Sequence, residues 1–483
     1  MIHLVRSNIN IRRKFQQLSQ VYRSHFLIFL IYCFSHGLVA LSVNGIWWDD
    51  WALFYNSDET IRKSFIQSGA FPPYVGDLHV LLTSLGPVSY RAITFICFYF
   101  SSLNFLVLIK RYMRCSEKNA LLFTILFTIL PFNLARIAAI DLPYTISLTL
   151  FLIAWRIYPK NLAISLACFF VSYLTQSLLL FMLVVFLVEF SDKPKSKMSK
   201  RIILKLSSLL VLPVLYWLIK NIFYKPYGDY EGYNQNISVF NLFSPIKIMF
   251  IDLLNFRTSL PLTLILFLVT YVVVDRIDVV NLDRQERIKW AFFGLFTLAI
   301  GVLPYLLLGL TPTFRDWNSR HQLLMPFGAS VLIGGLVIGR SRIYKIALAF
   351  VISVSLSFTS MNYSAFSRDW DKQTGIIEGI RNSLLIEECS VIMISDKTNV
   401  QNAVGRYYRF YEWNAIFKMS TGKQDRFVIS SADIDLFNRG NFDSFYTQEF
   451  SAANFKRSEK NILCAVDISY QNGMYTLNVE KKS

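Results

Sequence analysis

The chain has 483 residues, of which 54% are hydrophobic and 16% aromatic, with only 17% charged. A soluble chain of that length cannot bury so much apolar surface, and apolar runs of membrane length recur along it, so the composition points to a multi-pass membrane protein. The formal net charge of +17 would suggest nucleic acid for a soluble protein. Here Lys and Arg gather in short segments between apolar runs, as cytoplasmic loops do, and no nucleic-acid partner is expected.

Arg6, Arg12, Arg13, Lys14 and Arg23 precede an apolar run from His25 to Ile46. That flank puts the N-terminus in the cytoplasm and sends the first helix outward. With no small-residue cleavage site after it, the run is read as a retained helix. Where it ends stands Trp47-Trp48-Asp49-Asp50-Trp51, two carboxylates among three tryptophans at the membrane border. Charge there is costly and usually functional; the alternative is an aromatic belt with two solvated acids. Ser57 then caps a short helix with Asp58 and Glu59 in its first turn and Gly69 past its end. Its apolar residues lie on one face, which suits a helix lying on the bilayer surface. Pro72-Pro73 stop any continuation.

Spans follow over about 87–109, 119–137 and 143–157, the last pair joined by a turn at Asp141-Leu142-Pro143. Residues 161–190 are almost wholly apolar. As one helix they would reach roughly 45 Å, half again the hydrocarbon thickness. They would also carry Lys193, Lys195, Lys197, Lys200 and Arg201 outside. Two short helices turning near Tyr173 to Ser177 keep that cluster inside, and each needs protein packing around the turn. Further spans are expected over 202–222, 258–274, 290–310, 323–339 and 343–361, with a long outer loop at 223–257. The total is about eleven membrane helices, with Lys and Arg concentrated on the inner side.

Past Tyr363 the composition turns polar. Residues 367–386 and 400–419 read as helices, and 390–395 and 426–430 as strands, a β-α-β pattern. Asn472-Gly473 between alternating runs signals a closing hairpin. The expected organisation is therefore mainly α, with a membrane bundle over 1–362 and an extracytoplasmic α/β domain over 363–483. The six cysteines show no metal-ligand spacing. Cys389 and Cys464 lie beside or in strands outside the cytoplasm, where oxidation is allowed, but strands that are not neighbours cannot be bridged, so both are read as buried free thiols.

An inside N-terminus, an acidic pair opening the first outer loop, an interfacial helix in that loop, about eleven spans and an outer α/β tail together resemble the membrane-embedded glycosyltransferases of the GT-C fold. The WWDDW run, followed by Pro72-Pro73-Tyr74-Val75-Gly76-Asp77, resembles the bacterial serotype-converting glucosyltransferases that decorate O-antigen or other surface polysaccharide. Arg320-His321 with Pro326 is a weaker point of likeness. The resemblance implies a polyprenyl-phosphate-linked sugar donor, a glycan acceptor, a place in the bacterial inner membrane and a base role for one acid of the pair, with Asp49 slightly favoured.

The chemistry agrees. Displacing a phosphate by an acceptor hydroxyl requires a carboxylate near the hydroxyl and cations near the departing phosphate. Asp49 and Asp50 are the catalytic candidates, and the place where a divalent cation, Mg or Mn, would be held through oxygen ligands. Arg320, His321, Arg315 and Arg91 are candidates for the phosphate, since guanidinium matches its geometry, although interfacial anchoring is an equal reading of Arg320. Trp48, Trp51, Asp77, His79 and Asp141 are candidates for the cavity or acceptor entrance, with a turn-forming Asp the simpler account of Asp141. A polysaccharide polymerase using the same carrier, and a lipid-linked sugar flippase or transporter, are the alternatives.

Overall fold

The computed structural model describes residues 22–37, 44–192, 199–232, 242–254, 258–277, 279–314, 317–403, 406–423, 426–430 and 462–482. It is mainly helical, a bundle of apolar helices followed by a small C-terminal sheet. Among the described residues, five helical stretches are long and apolar enough to cross a membrane: Pro87–Met113, Ala139–Ile157, Lys200–Phe223, Arg284–Leu307 and Arg342–Arg381. Their outward faces stay apolar. On Lys200–Phe223, Leu204, Val211, Ile222 and Phe223 are all more than 60% exposed, which water would not tolerate over so long a face and lipid would.

The helices in chain order are α1 (22–32, continued by a π-helical turn Cys33–Gly37), α2 (Asp50–Tyr55), α3 (Asp58–Gln67), α4 (Val75–Thr83), α5 (Pro87–Met113), α6 (Glu117–Ile129), α7 (Leu142–Ile157), α8 (Leu162–Ser172), α9 (Ser177–Ser191) and α10 (Lys200–Phe223). Then come α11 (Phe243–Leu254), α12 (Leu260–Asp275), α13 (Arg284–Leu307), α14 (Met325–Val337), α15 (Arg342–Arg381) and α16 (Leu384–Glu388). The hairpin expected within 161–190 is present as α8 and α9, turning at 173–176. Ser57 caps α3 by accepting from the Thr60 amide.

Four expectations are corrected. The span expected to reach 137 stops at Ile129, because Pro131 cannot continue it, and the chain goes on through Asn133 at φ 54° into short 3-10 turns Leu134–Ile137 and Ala139–Asp141. The segment after Pro72-Pro73 restarts as α4, where Gly76 is required: a Cβ there would lie 2.9 Å from the Arg62 Cα of α3. Residues 223–257, expected to be an outer loop, contain α11, whose Phe243, Phe250 and Leu253 are exposed, the pattern of an interfacial helix. Finally, the expected helices 343–361 and 367–386 are one 40-residue helix, α15. The composition changes there, but no Gly or Pro interrupts Arg342 to Thr374, and polarity alone does not end a helix. At 1.5 Å per residue α15 is roughly 60 Å long, so it rises from the bundle into the tail without a joint.

The tail sheet contains β1 (Val391–Asp396), β2 (Phe427–Ser430), β3 (Leu463–Gln471) and β4 (Met474–Lys482) in the order β2-β1-β3-β4, with α17 (Phe410–Thr421) between β1 and β2. β1 is parallel to both neighbours, and β3 turns into β4 through Asn472 and Gly473, both at positive φ. Because β3 lies directly beside β1, Ile392 is in register with Cys464. Cys389, just before β1, then bonds to Cys464 with a Cα separation of 5.8 Å. The free-thiol expectation is therefore wrong; strand adjacency, invisible in the sequence, decides the pairing. The tail core is built from Ile376 and Ile380 of α15, Trp413 and Ile416 of α17 and Val466 and Ile468 of β3, and it also takes in Ile46 and Trp51 from the first loop.

Candidate active site

The acidic pair opens α2, and its geometry follows from Trp48, which sits at φ 55° in the left-handed region. A bulky residue pays about 1–3 kcal/mol to stay there. Trp48 is held by the 3-10 turn Trp317–Gln322: Trp317 stacks on it at 5.4 Å and 5°, and the Arg320 guanidinium lies 4.4 Å from its ring centre. Trp47 is anchored separately, its indole N–H donating to the Phe366 carbonyl of α15 at 3.2 Å. Phe366 and Trp317 are themselves in ring contact at 5.4 Å, so both tryptophans enter one aromatic cluster ahead of α2.

Asp50 points inward and is fully buried. Its Oδ1 accepts from the Ile140 amide at 2.9 Å, and its Oδ2 lies 3.5 Å from the Trp47 amide. These contacts exist because α6 breaks early and leaves the 139–141 turn with amides to satisfy. Burial pushes the Asp50 carboxyl up to about 7, against the pull of the Ala139 and Ile140 amides and of Arg91. Asp50 thus supports the site and does not face it. Asp50→Ala should cost about 1–3 kcal/mol for each amide left without an acceptor, whereas Asp50→Asn keeps an acceptor. Since the folded protein holds this proton more tightly than the unfolded chain, wild-type stability should fall relative to Asp50→Asn as pH rises from the ordinary carboxylate range through about 7. Melting curves of both proteins over that window check it.

Asp49 is half-buried and lines a cavity of about 300 Å³. The Tyr411 hydroxyl donates to its Oδ1 at 2.5 Å. Burial raises its pKa, opposed by the Tyr411 hydrogen bond and the charge of Arg320. The rest of the wall comes from α3, from Ile140 to Tyr144, from the α8–α9 turn through Thr175 and Gln176, from Lys220 near the end of α10, and from Arg320 in the 3-10 turn Trp317–Gln322. Asp141 is therefore a cavity acid as well as a turn residue, and the charge of Arg320 acts on both acids. The cavity thus brings together two carboxylates, two cations, the amides of Asn56 and Gln176 and the hydroxyls of Ser64 and Tyr144. Lys220 is the residue the sequence reading missed. It is only 9% exposed, it lines the cavity, and its ammonium makes no hydrogen bond or ion pair among the described residues.

Several candidates lie elsewhere. Trp51 is 1% exposed inside the tail core. Asp77 pairs with Arg62 at 2.7 Å on the surface. His79 is buried against Phe65, with Nδ1 3.1 Å from the Tyr90 hydroxyl, and burial lowers its pKa to about 4. Arg91 packs over Trp47 and donates to the Gly45 carbonyl, away from the cavity. His321 is buried beside Tyr305, and burial, then Arg320, lowers its pKa to about 3, so it is a neutral ring and not a phosphate-binding cation. Arg315 lies outside the described residues. The Asp pair does not fit a chelated divalent cation, because the Asp50 carboxylate is engaged by backbone amides and turned away from Asp49, and no cluster of three or more His, Cys, Asp or Glu suited to a metal ion occurs among the described residues. No family model matches the chain, and neither a curated protein nor a solved structure matches it.

Proposed function

We propose that this protein is a membrane-embedded glycosyltransferase of the GT-C kind. It moves a sugar from a polyprenyl-phosphate donor to a hydroxyl of an envelope glycan on the outer face of the bacterial inner membrane. The observation that carries the reading is one cavity lined by Asp49, Asp141, Lys220 and Arg320 beside long apolar helices. Carboxylates and cations gathered around one small cavity suit the displacement of a phosphate by a hydroxyl.

In this mechanism Asp49 accepts the acceptor hydroxyl proton as the hydroxyl oxygen forms its bond to the anomeric carbon. The bond from that carbon to the phosphate oxygen breaks, and Lys220 and Arg320 take up the charge that develops on the departing polyprenyl phosphate. Asp141 orients the acceptor. The lipid tail lies against the apolar helices, about eleven spans set the N-terminus inside and the tail outside, and the α8–α9 turn reaches the cavity from within the bundle.

The test is to incubate the purified protein with polyprenyl-phosphate sugars and candidate glycans, with and without chelator, and to weigh the acceptor. A mass increment of one sugar is expected. Repeated increments on a lipid-linked repeat unit would replace this reading by a polymerase, and donor movement across vesicles with no increment would replace it by a flippase.

A further inference from the structure

We propose that Tyr411, from the α/β tail, is a positioning residue of the transfer site, holding Asp49 by one carboxylate oxygen so that the other stays turned to the acceptor hydroxyl. The inference rests on the reading of Asp49 as the base. The bond from the Tyr411 hydroxyl to Asp49 Oδ1 joins residues 362 apart in sequence, while Asp49 Oδ2 takes no hydrogen bond among the described residues. A general base needs a fixed carboxylate with one open lone-pair direction, and this arrangement supplies it.

Tyr411 can do this because its own helix is fixed relative to the membrane bundle. Lys418 of α17 donates to the Tyr55 carbonyl of α2 at 2.6 Å. Just before α17, Arg406 pairs with Glu412 at 2.5 Å, and the Tyr408 hydroxyl donates to Asp369 of α15. Lys372, one turn further along α15, holds Asp396 and Asn402, each at 2.5 Å. Buried charges so paired are costly to remove singly and fix one geometry. A second link runs through the rings, since Arg406 lies 5.7 Å from the Trp317 ring centre and Trp317 stacks on Trp48.

The charged groups around Asp49 are Asp141, Lys220 and Arg320, which line the same cavity, and Arg406 and Arg409 from the tail, with Asp50 next in the chain but turned away and Glu412 acting on Tyr411. Tyr411→Phe leaves all of them in place and removes one hydrogen bond to the carboxylate, so the Asp49 proton should be held more tightly. The test uses the full chain in nanodiscs, with Tyr407→Phe, a 70% exposed neighbour, as control. A hydrophobic carbodiimide, which reacts with the protonated acid, is mapped to Asp49 by peptide mass spectrometry across pH. In Tyr411→Phe the labelling should persist to higher pH by about one unit, as expected for loss of a charge-assisted hydrogen bond. The acid limb of the kcat profile should move up by the same unit, so that transfer falls up to about tenfold on that limb and recovers as pH rises, with KM for donor unchanged and the melting transition in place. Tyr407→Phe should match wild type throughout. Unmoved labelling beside normal transfer would overturn the role of Tyr411 alone. A labelling shift in Tyr411→Phe beside a wild-type protein that transfers nothing would instead overturn the transferase reading, and with it the role assigned to this bond.

Discussion

Asp49→Asn should lower turnover by about 100-fold or more while leaving expression and melting close to wild type, because it removes the proton acceptor from the cavity and little else. Asp50→Asn, one residue along, should stay within a few-fold of wild type in turnover. The contrast is the useful part. Both acids sit at the same depth in the sequence, yet Asp50 is engaged by backbone amides and Asp49 alone opens on the cavity. Burial raises the Asp49 carboxyl, so the acid limb of the wild-type pH–rate profile should lie above the ordinary carboxylate range, with activity lost as pH falls through it. Rates of the two variants on a fixed donor and acceptor decide the matter. If Asp50→Asn proved the dead one, the assignment of the base would be reversed.

The two cations also differ in how they are held. Arg320 is partly committed to the face of Trp48, so its charge is oriented by the ring of a residue whose backbone is held at positive φ. Lys220 has no such partner among the described residues and reaches the cavity from the end of a long apolar helix that is mostly unburied. An uncommitted ammonium and an oriented guanidinium lining one cavity suit a phosphate that must be held on arrival and again, with more charge, on leaving.

Much of this architecture is legible in the sequence, because apolar length, caps and turn residues are local. The Ser57 cap, the α8–α9 hairpin forced by bilayer thickness and the Asn472-Gly473 turn all follow from residues within a few positions of one another. The failures are of another kind. Asp77 and His79 lie close to the acidic pair in sequence, but on α4 it is Val75 that lines the cavity while Asp77 faces solvent and His79 faces the core. Lys220 reads as one more basic residue at a helix end, and only the fold of α10 against the first loop turns it inward. The Cys389–Cys464 bond depends on a strand order, β1 beside β3, that no local pattern encodes. The contact of Tyr411 with Asp49 depends on α15 running unbroken from bundle to tail.

Trp51→Ala should be the most destabilising single change in the first loop, at about 3–5 kcal/mol. Its ring is 1% exposed and packs in the tail core with residues such as Ile376, Trp413 and Ile416, against Tyr55 at 5.2 Å. Removing it leaves a cavity that α15 and α17, already pinned by their ion pairs, cannot close over. The tail and the first loop would then separate more easily, and because Trp51 is two residues from Asp49, transfer should be lost together with stability. Thermal melting followed by tail fluorescence, and proteolysis of the tail under native conditions, measure this directly. A tryptophan lining the acceptor cavity, as its place in the sequence suggests, would behave otherwise: Trp51→Ala would raise KM for the acceptor and leave the melting temperature alone. The structure requires the first result, since it makes the first loop and the α/β tail one folded unit whose shared core ends two residues from Asp49.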